Sequence, residues 1–336
     1  MGTHTSKARY AIATVGVAVG LVGLLAPSMA SAAAPDGDEA ERHELVSLFD
    51  SVAPEFFARI SPVVAPRPIE QLSSARFSTA TDQVELPSEA SEAVLVGSAE
   101  VGLAPQGTEQ LGEALQLQSN AVAFVGETVT QVAVDKGAGL YGLATVLADE
   151  SAGDRFSYEL QSPADLHIEI GESGGALFLE GDDVVGGAYA PWAIDAAGVE
   201  VPTHYVVEDG ALVQVVDHTG GGFTYPIIAD PTYYGESLIS SVVTRYPAAG
   251  RELSVHTSTW WKTTATFGGT VISITVRNQV TDEFARITPS PWDTTGGRQQ
   301  VSCHAYYATL KDPWNIELWR PTVGEAATVA AACNPS

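Results

Sequence analysis

Four groupings of side chains in this sequence have the composition of reactive or binding sites. Ser173 lies among glycines in Gly171-Glu172-Ser173-Gly174-Gly175, where unhindered backbone N–H groups could surround a serine nucleophile and receive an oxyanion. Cys303 adjoins His304, a thiol beside a base. His204, Asp217 and His218 are metal-ligand residue types close together in the chain. His256, Trp260, His304, Tyr306, Glu317 and Trp319 would form one outward surface if the C-terminal strands alternate as their pattern suggests, and exposed rings beside polar groups suit a glycan or peptide. Each grouping depends on the elements that must position it.

The N-terminus reads as an address. Lys7 and Arg9 precede an uncharged run from Ala11 to Ala26, then Pro27, Ser28 and the small residues Ala30, Ser31 and Ala32, the order of a secretory signal peptide cut after Ala32. The apolar run is shorter than the ~20 residues of a membrane span, so no span is expected after cleavage. Export places the chain in an oxidising compartment, where Cys303 and Cys333, the sole pair, are expected to form a disulfide. The nucleophile reading of Cys303 fails on the expected strand, because neighbours there point to opposite faces.

Charge divides the chain. Residues 35–230 carry 33 acids against six Lys and Arg, whereas residues 231–336 balance eight against eight and hold both cysteines and five of the six tryptophans. A surface this acidic repels nucleic acid, and no phosphate-binding glycine motif is present. Leu45, Leu48, Phe49, Val52, Phe56 and Ile60 recur at spacings of three and four, predicting a short amphipathic helix that Pro54 breaks or restarts. Pro62, Pro66 and Pro68 open an acidic, weakly patterned stretch to about Ser119 that reads as a solvated linker. From Ala121 short β-type runs follow at 121–125, 128–134, 140–147, 155–160, 166–170 and 176–179. Asp209-Gly210 between Thr203–Glu208 and Ala211–Val216 predicts a two-residue hairpin.

Three resemblances bear on these residues. Gly171–Gly175 looks like the nucleophile loop of trypsin-like serine proteases, but no His-bearing motif of that family precedes it and the glycines fall where a hairpin must turn, so it is read as a turn. Pro191-Trp192-Ala193-Ile194-Asp195, Val201–Tyr205, Leu212–His218 and Tyr225–Pro231 resemble a segment shared by many exported Gram-positive proteins, covering about 155–231; it implies a leader or scaffold, not a catalyst. Ser302-Cys303-His304, Lys311, Trp314-Asn315-Ile316-Glu317, Arg320-Pro321, Val323 and Cys333-Asn334-Pro335 resemble the actinobacterial secreted family known as domain of unknown function 2599, from about Tyr234 to the end. That resemblance implies secretion and modularity and supplies no reaction. His204, Asp217 and His218 read as hairpin and edge residues, so no metal is expected.

In the C-terminal part, strands are predicted over Leu253–Thr259, Ile272–Val276 after a Gly268-Gly269 turn, Val301–Tyr307 and Trp314–Leu318. Val301, Cys303, Ala305 and Tyr307 are expected inward, with Cys303 stapling a strand to the tail. The chain is thus expected to be mainly β, two antiparallel modules of sandwich or meander type with a short N-terminal helix. Its parts would be a signal peptide (1–32), an acidic helix and Pro-rich linker (33–119), a β-rich acidic domain (120–231) and a disulfide-closed module (232–336). The expected function is that of a secreted, non-catalytic protein without cofactor, outside the cell or at its wall, whose C-terminal module binds an envelope or extracellular glycan or peptide. The rivals are an effector or hydrolase released from an acidic propiece near Asp230-Pro231, and a passive wall component.

Overall fold

The computed structural model of the protein describes residues 37–60 and 86–336, Gly268 excepted; the expected signal segment and the prolines at 62, 66 and 68 lie outside the described residues. The first element, α1 (Gly37–Val52), carries the apolar stripe read from the sequence and stops just before Pro54, which removes a backbone donor. One turn beyond, Phe56 and Phe57 pack on Phe49, each ring centroid 4.9 Å from it. From Gly37 onward the chain forms one compact unit.

Fourteen strands follow up to Tyr234: β1 (Gly102–Pro105), β2 (Ala114–Gln118), β3 (Ala121–Val125), β4 (Val129–Gly137), β5 (Leu140–Leu147), β6 (Arg155–Gln161), β7 (His167–Ile170), β8 (Ala176–Glu180), β9 (Asp183–Ala188), β10 (Trp192–Asp195), β11 (Thr203–Glu208), β12 (Ala211–Val216), β13 (Ile227–Asp230) and β14 (Thr232–Tyr234). They build a four-stranded sheet in the order β1-β6-β12-β11 and a ten-stranded sheet in the order β2-β3-β4-β5-β14-β9-β8-β7, with β13 bridging β5 to β10. All pairings are antiparallel. The β-type runs of the sequence are these strands, and the Asp209-Gly210 hairpin holds the register Thr203↔Val216 to Glu208↔Ala211 with φ of 50° and 83° at its two central residues.

Strand β5 shows why its sequence is an unbroken apolar run. Tyr141 and Leu143 face a core shared with Leu103, Tyr158, Tyr205 and Leu212 of the four-stranded sheet, whereas Ala144 and Val146 face a second core closed by Leu45, Phe49, Phe56 and Phe57. A strand covered on both faces needs apolar residues at both parities. The N-terminal helix and turn are therefore the lid of the ten-stranded sheet, and full burial of a ring such as Phe49 contributes about 1.5–3 kcal/mol.

Two expectations for this part change. Residues 86–119 are not a solvated linker: Val94, Val96, Val101, Leu103 and Leu117 are buried, β1 pairs with β6, and β2 pairs with β3. The acids of that stretch sit mainly in turns, and strands of four and five residues are too short to dominate its composition. Pro231, drawn as a boundary, lies between two buried strands of the same sheet, so the sheet body runs on to Tyr234.

The C-terminal part consists of β15 (Ile239–Arg245), β16 (Glu252–Thr257), α2 (Thr259–Phe267), α3 (Gly269–Ile287), α4 (Thr295–Tyr307), β17 (Trp314–Glu317) and α5 (Glu325–Ala330), the strands pairing in the order β15-β16-β17. Strands β16 and β17 answer two of the predicted strands. The other two are helices, with Ile272–Val276 inside α3 and Val301–Tyr307 inside α4. Burial there recurs at three and four residues: Val276, Gln279, Val280, Glu283 and Phe284 on α3, then Gln300, Val301, His304 and Ala305 on α4. A seven-residue stretch that also alternates satisfies both periods, and the caps decide between them. Thr294 Oγ1 accepts from Gly297 N at 3.0 Å at the start of α4, and Ser258 Oγ accepts from Trp261 N at 3.0 Å at the start of α2, the helix that precedes α3.

Cys303 and Cys333 are bonded, so the staple joins helix α4, not a strand, to the tail beyond α5. The C-terminal core of Leu253, Val255, Trp261, Val301, Trp314 and Ile316 is continuous with Ile60, Leu140, Tyr189 and Tyr234 of the preceding part. Sheet body and C-terminal segment thus fold around shared apolar surface.

Candidate functional site

The six residues expected to share one surface are dispersed. Their alternation assumed strands, but Trp260 and His304 are helical and both turn inward. Trp260 Nε1 donates to Ala138 O at 2.6 Å and its ring stacks on Tyr234 at 4.9 Å. His304 is 2% exposed, its Nδ1 bonds Gln300 O at 2.8 Å, and burial holds its pKa below the ordinary imidazole value. Tyr307, expected inward, is 70% exposed at the end of α4. Tyr306 hydrogen-bonds Asn278 at 2.7 Å, and Glu317 pairs with Arg320.

Trp319 does join an aromatic surface, though with partners that alternation did not identify. The connection from β15 to β16 runs Tyr246-Pro247-Ala248-Ala249-Gly250-Arg251. At Gly250 the backbone passes so close to Trp319 that a Cβ there would stand 2.9 Å from the Trp319 Cβ, which requires glycine. Arg251 lies over the Trp292 ring at 5.2 Å and its Nη1 donates to Pro291 O at 3.2 Å. Tyr246 meets Trp292 edge-on at 5.4 Å and remains 74% exposed. One end of the small sheet therefore presents Tyr246 on Trp292, the Arg251 guanidinium over Trp292, and Trp319 against the neighbouring Gly250, with Glu317 on β17 and Arg320 just beyond it. Such a face offers apolar ring surface for stacking and charged donors and acceptors for orientation.

His256 stands at the opposite end of β16. Its Nδ1 lies 3.0 Å from Asp312 Oδ1, and Lys262 pairs with the other carboxylate oxygen. A carboxylate that fixes one ring nitrogen leaves the other directed elsewhere, the arrangement used to orient a histidine for proton transfer. Asp312 escaped the sequence reading because it is distant in the chain from His256 and Lys262 and meets them only through the turn after α4.

The remaining reactive groupings are structural. Gly171–Gly175 is the β7–β8 turn, closed by Gly171 N to Gly175 O at 2.8 Å, and it is seated on α3. The Ser173 backbone N and hydroxyl both donate to the carboxylate of Asp282, whose pKa burial raises. A Cβ on Gly171 would stand 2.2 Å from Asp282 Oδ2, and one on Gly175 2.0 Å from Gln279 Oε1. Arg298 reaches from α4 to Glu172, and Arg286 from α3 to Glu169 and Asp182. The motif is thus a docking turn between sheet body and helices. His204 is exposed on β11, whereas both His218 ring nitrogens are engaged, by Tyr225 at 2.7 Å and Gly153 O at 3.2 Å. Among the described residues no group of three His, Cys, Asp or Glu side chains could hold a metal ion, and no helix is long and apolar enough to cross a membrane.

Residues 244–336 match the family described as protein of unknown function DUF2599, and the aromatic face from Tyr246 to Trp319 lies wholly within that match. The chain is also similar to an uncharacterized protein of Mycobacterium bovis and to one of Mycobacterium tuberculosis, each 45% identical over 47 residues, 13% of this chain and 32% of the relative. The chain therefore spans about a third of the length of these relatives.

Proposed function

We propose that the protein is exported and acts, without catalysis, by binding a glycan of the cell envelope or extracellular space through the aromatic end of its C-terminal module. The observation that carries this reading is the exposed Tyr246 ring set against Trp292, with Arg251 and Trp319 beside it. Export rests on the charge and apolar pattern of the first 32 residues, and the Cys303–Cys333 bond is of the kind that persists in oxidising compartments. A peptide ligand would use the same rings. The expected result is that the protein co-sediments with insoluble actinobacterial cell-wall polysaccharide and that Tyr246→Ala weakens this roughly tenfold or more, since one stacking ring contributes about 0.5–1.5 kcal/mol beyond its buried area. Tyr246 is largely solvent-exposed, so the variant should melt with the wild type. Equal sedimentation of the two would remove the reading.

A hydrolase or released effector is favoured by one observation, the carboxylate-oriented His256. Its proposed release point is not supported by burial: Asp230 is 4% exposed and Pro231 is buried, so cleavage there would first require β13 and β14 to leave the sheet.

A further inference from the structure

The sheet body holds a cleft far along the chain from the matched family residues. Between the β3–β4 turn, the connection after β1 and strand β6 is a cleft of about 440 Å³, within the range of small-molecule sites. Its wall carries a side-chain amide and a hydroxyl, those of Gln110 and Thr128, together with the half-buried ring of Phe156.

The floor is formed by Gln131 and Tyr158, which are 5% and 1% exposed. Thr145 Oγ1 lies 3.2 Å from Gln131 Oε1 and 3.0 Å from Tyr158 Oη. Thr145 donates its one proton to the Gln131 carbonyl oxygen, so in the contact with Tyr158 the tyrosine hydroxyl is the donor. Burial holds the tyrosine pKa well above its ordinary value, so it remains a neutral donor. The direction of the chain leaves the Gln131 amide nitrogen over, and among the described residues Nε2 makes no hydrogen bond although it is buried. An unmade bond of that kind costs about 1–3 kcal/mol, and an acceptor entering the cleft would recover it.

Charge narrows the ligand. Arg155 at the rim is paired with Glu208, and the chain carries a net charge of −25, so nothing in the cleft offers an unpaired cation to an anion. The carboxylate of the lining, Glu127, is exposed at the β3–β4 turn, and a cation reaching the floor would meet the donor end of Gln131. We infer that the cleft binds a neutral saccharide of one or two rings bearing a carbonyl acceptor, an N-acetylated sugar. Its carbonyl oxygen would accept from Gln131 Nε2, its hydroxyls would meet the amide and hydroxyl of the wall, and its C–H face would lie on Phe156.

This inference does not rest on the aromatic face of the C-terminal module, and its test keeps the two apart. The full chain is titrated with N-acetylglucosamine and with its β-1,4-linked dimer, followed by ligand-observed NMR and calorimetry. Binding is expected in the wild type and in Tyr246→Ala, and at least tenfold weaker in Gln131→Leu. The leucine variant removes the orphaned amide but also the acceptor of the buried Thr145 hydroxyl, so the two effects offset and its melting temperature should change little. Phe156→Ala should weaken binding as well. Absence of binding by both sugars overturns the inference, as does binding that Gln131→Leu leaves intact, which would put the sugar elsewhere. Binding lost in Tyr246→Ala but kept in Gln131→Leu would assign it to the C-terminal face and overturn the cleft.

Discussion

Glu283→Ala is expected to cost on the order of 3–5 kcal/mol, because it would strand two backbone donors in the core that joins the two parts of the chain. Glu283 is 1% exposed on α3, and its carboxyl accepts from Leu238 N at 2.8 Å and Ile239 N at 2.9 Å, where the chain leaves the sheet body for β15. Burial pushes its pKa from 4.5 up to about 8, against the pull of those two N–H groups. The pH dependence follows in sign. A folded-state pKa above the unfolded value makes the contribution fully present below about pH 4.5 and lost as pH rises through about 8.

Of the other shifted groups, Asp282 is raised by burial and acts in the same direction, whereas Asp230, His304 and Lys136 act mainly outside pH 6.5 to 8. Asp230, raised by burial to about 6, acts in the same direction but at lower pH. His304, lowered by burial, acts in the opposite direction below 6.5, and Lys136, lowered by burial to about 8, acts above that value. Between pH 6.5 and 8 the wild type should therefore lose about 2 kcal/mol, one proton's worth over that interval. Glu283→Gln, which keeps an acceptor for the N–H groups, should flatten the slope. Denaturant unfolding at the two pH values measures it, and a slope unchanged in the glutamine variant would mean that another group titrates.

Removing the disulfide is the second large effect. Cys303 and Cys333 close a loop of 30 residues' separation, and the bond restricts the unfolded chain by about 3–4 kcal/mol in the chain-entropy account. Cys333→Ser should lower the thermal midpoint by several degrees without altering the sheet body's spectrum, since what it frees is the tail after α5. Reduction of the wild type should reproduce the shift. Reduction that left the midpoint unmoved would show that packing of Thr328 and the tail on α4 holds the C-terminus without the bond.

Much of the sheet body was legible because its strands obey local rules. Runs such as Ala121–Val125 and Leu140–Leu147 are bounded by turn residues, and Asp209-Gly210 is the residue pair that a type I′ turn requires. The C-terminal helices were hidden by glycine and by brevity. Gly296 and Gly297 are poor helix formers, and they stand in the first turn of α4 because side chains there would crowd Thr322 and Leu318. Ser258 and Thr294 were the available signals, as N-caps, and period-two alternation over seven residues outweighed them. Of the proposed aromatic face, Trp319 was named from the sequence, whereas Tyr246, Arg251 and Trp292 reach it through loops whose positions no periodicity encodes.

The central claim is the location of the ligand, and hydrogen exchange of the full chain with and without soluble cell-wall polysaccharide fragments tests it most directly. Protection is predicted in 244–251, 289–293 and 317–320, the three segments that carry Tyr246, Trp292 and Trp319. Protection around His256, Lys262 and Asp312 in place of those segments, or none in the C-terminal module at all, would contradict it.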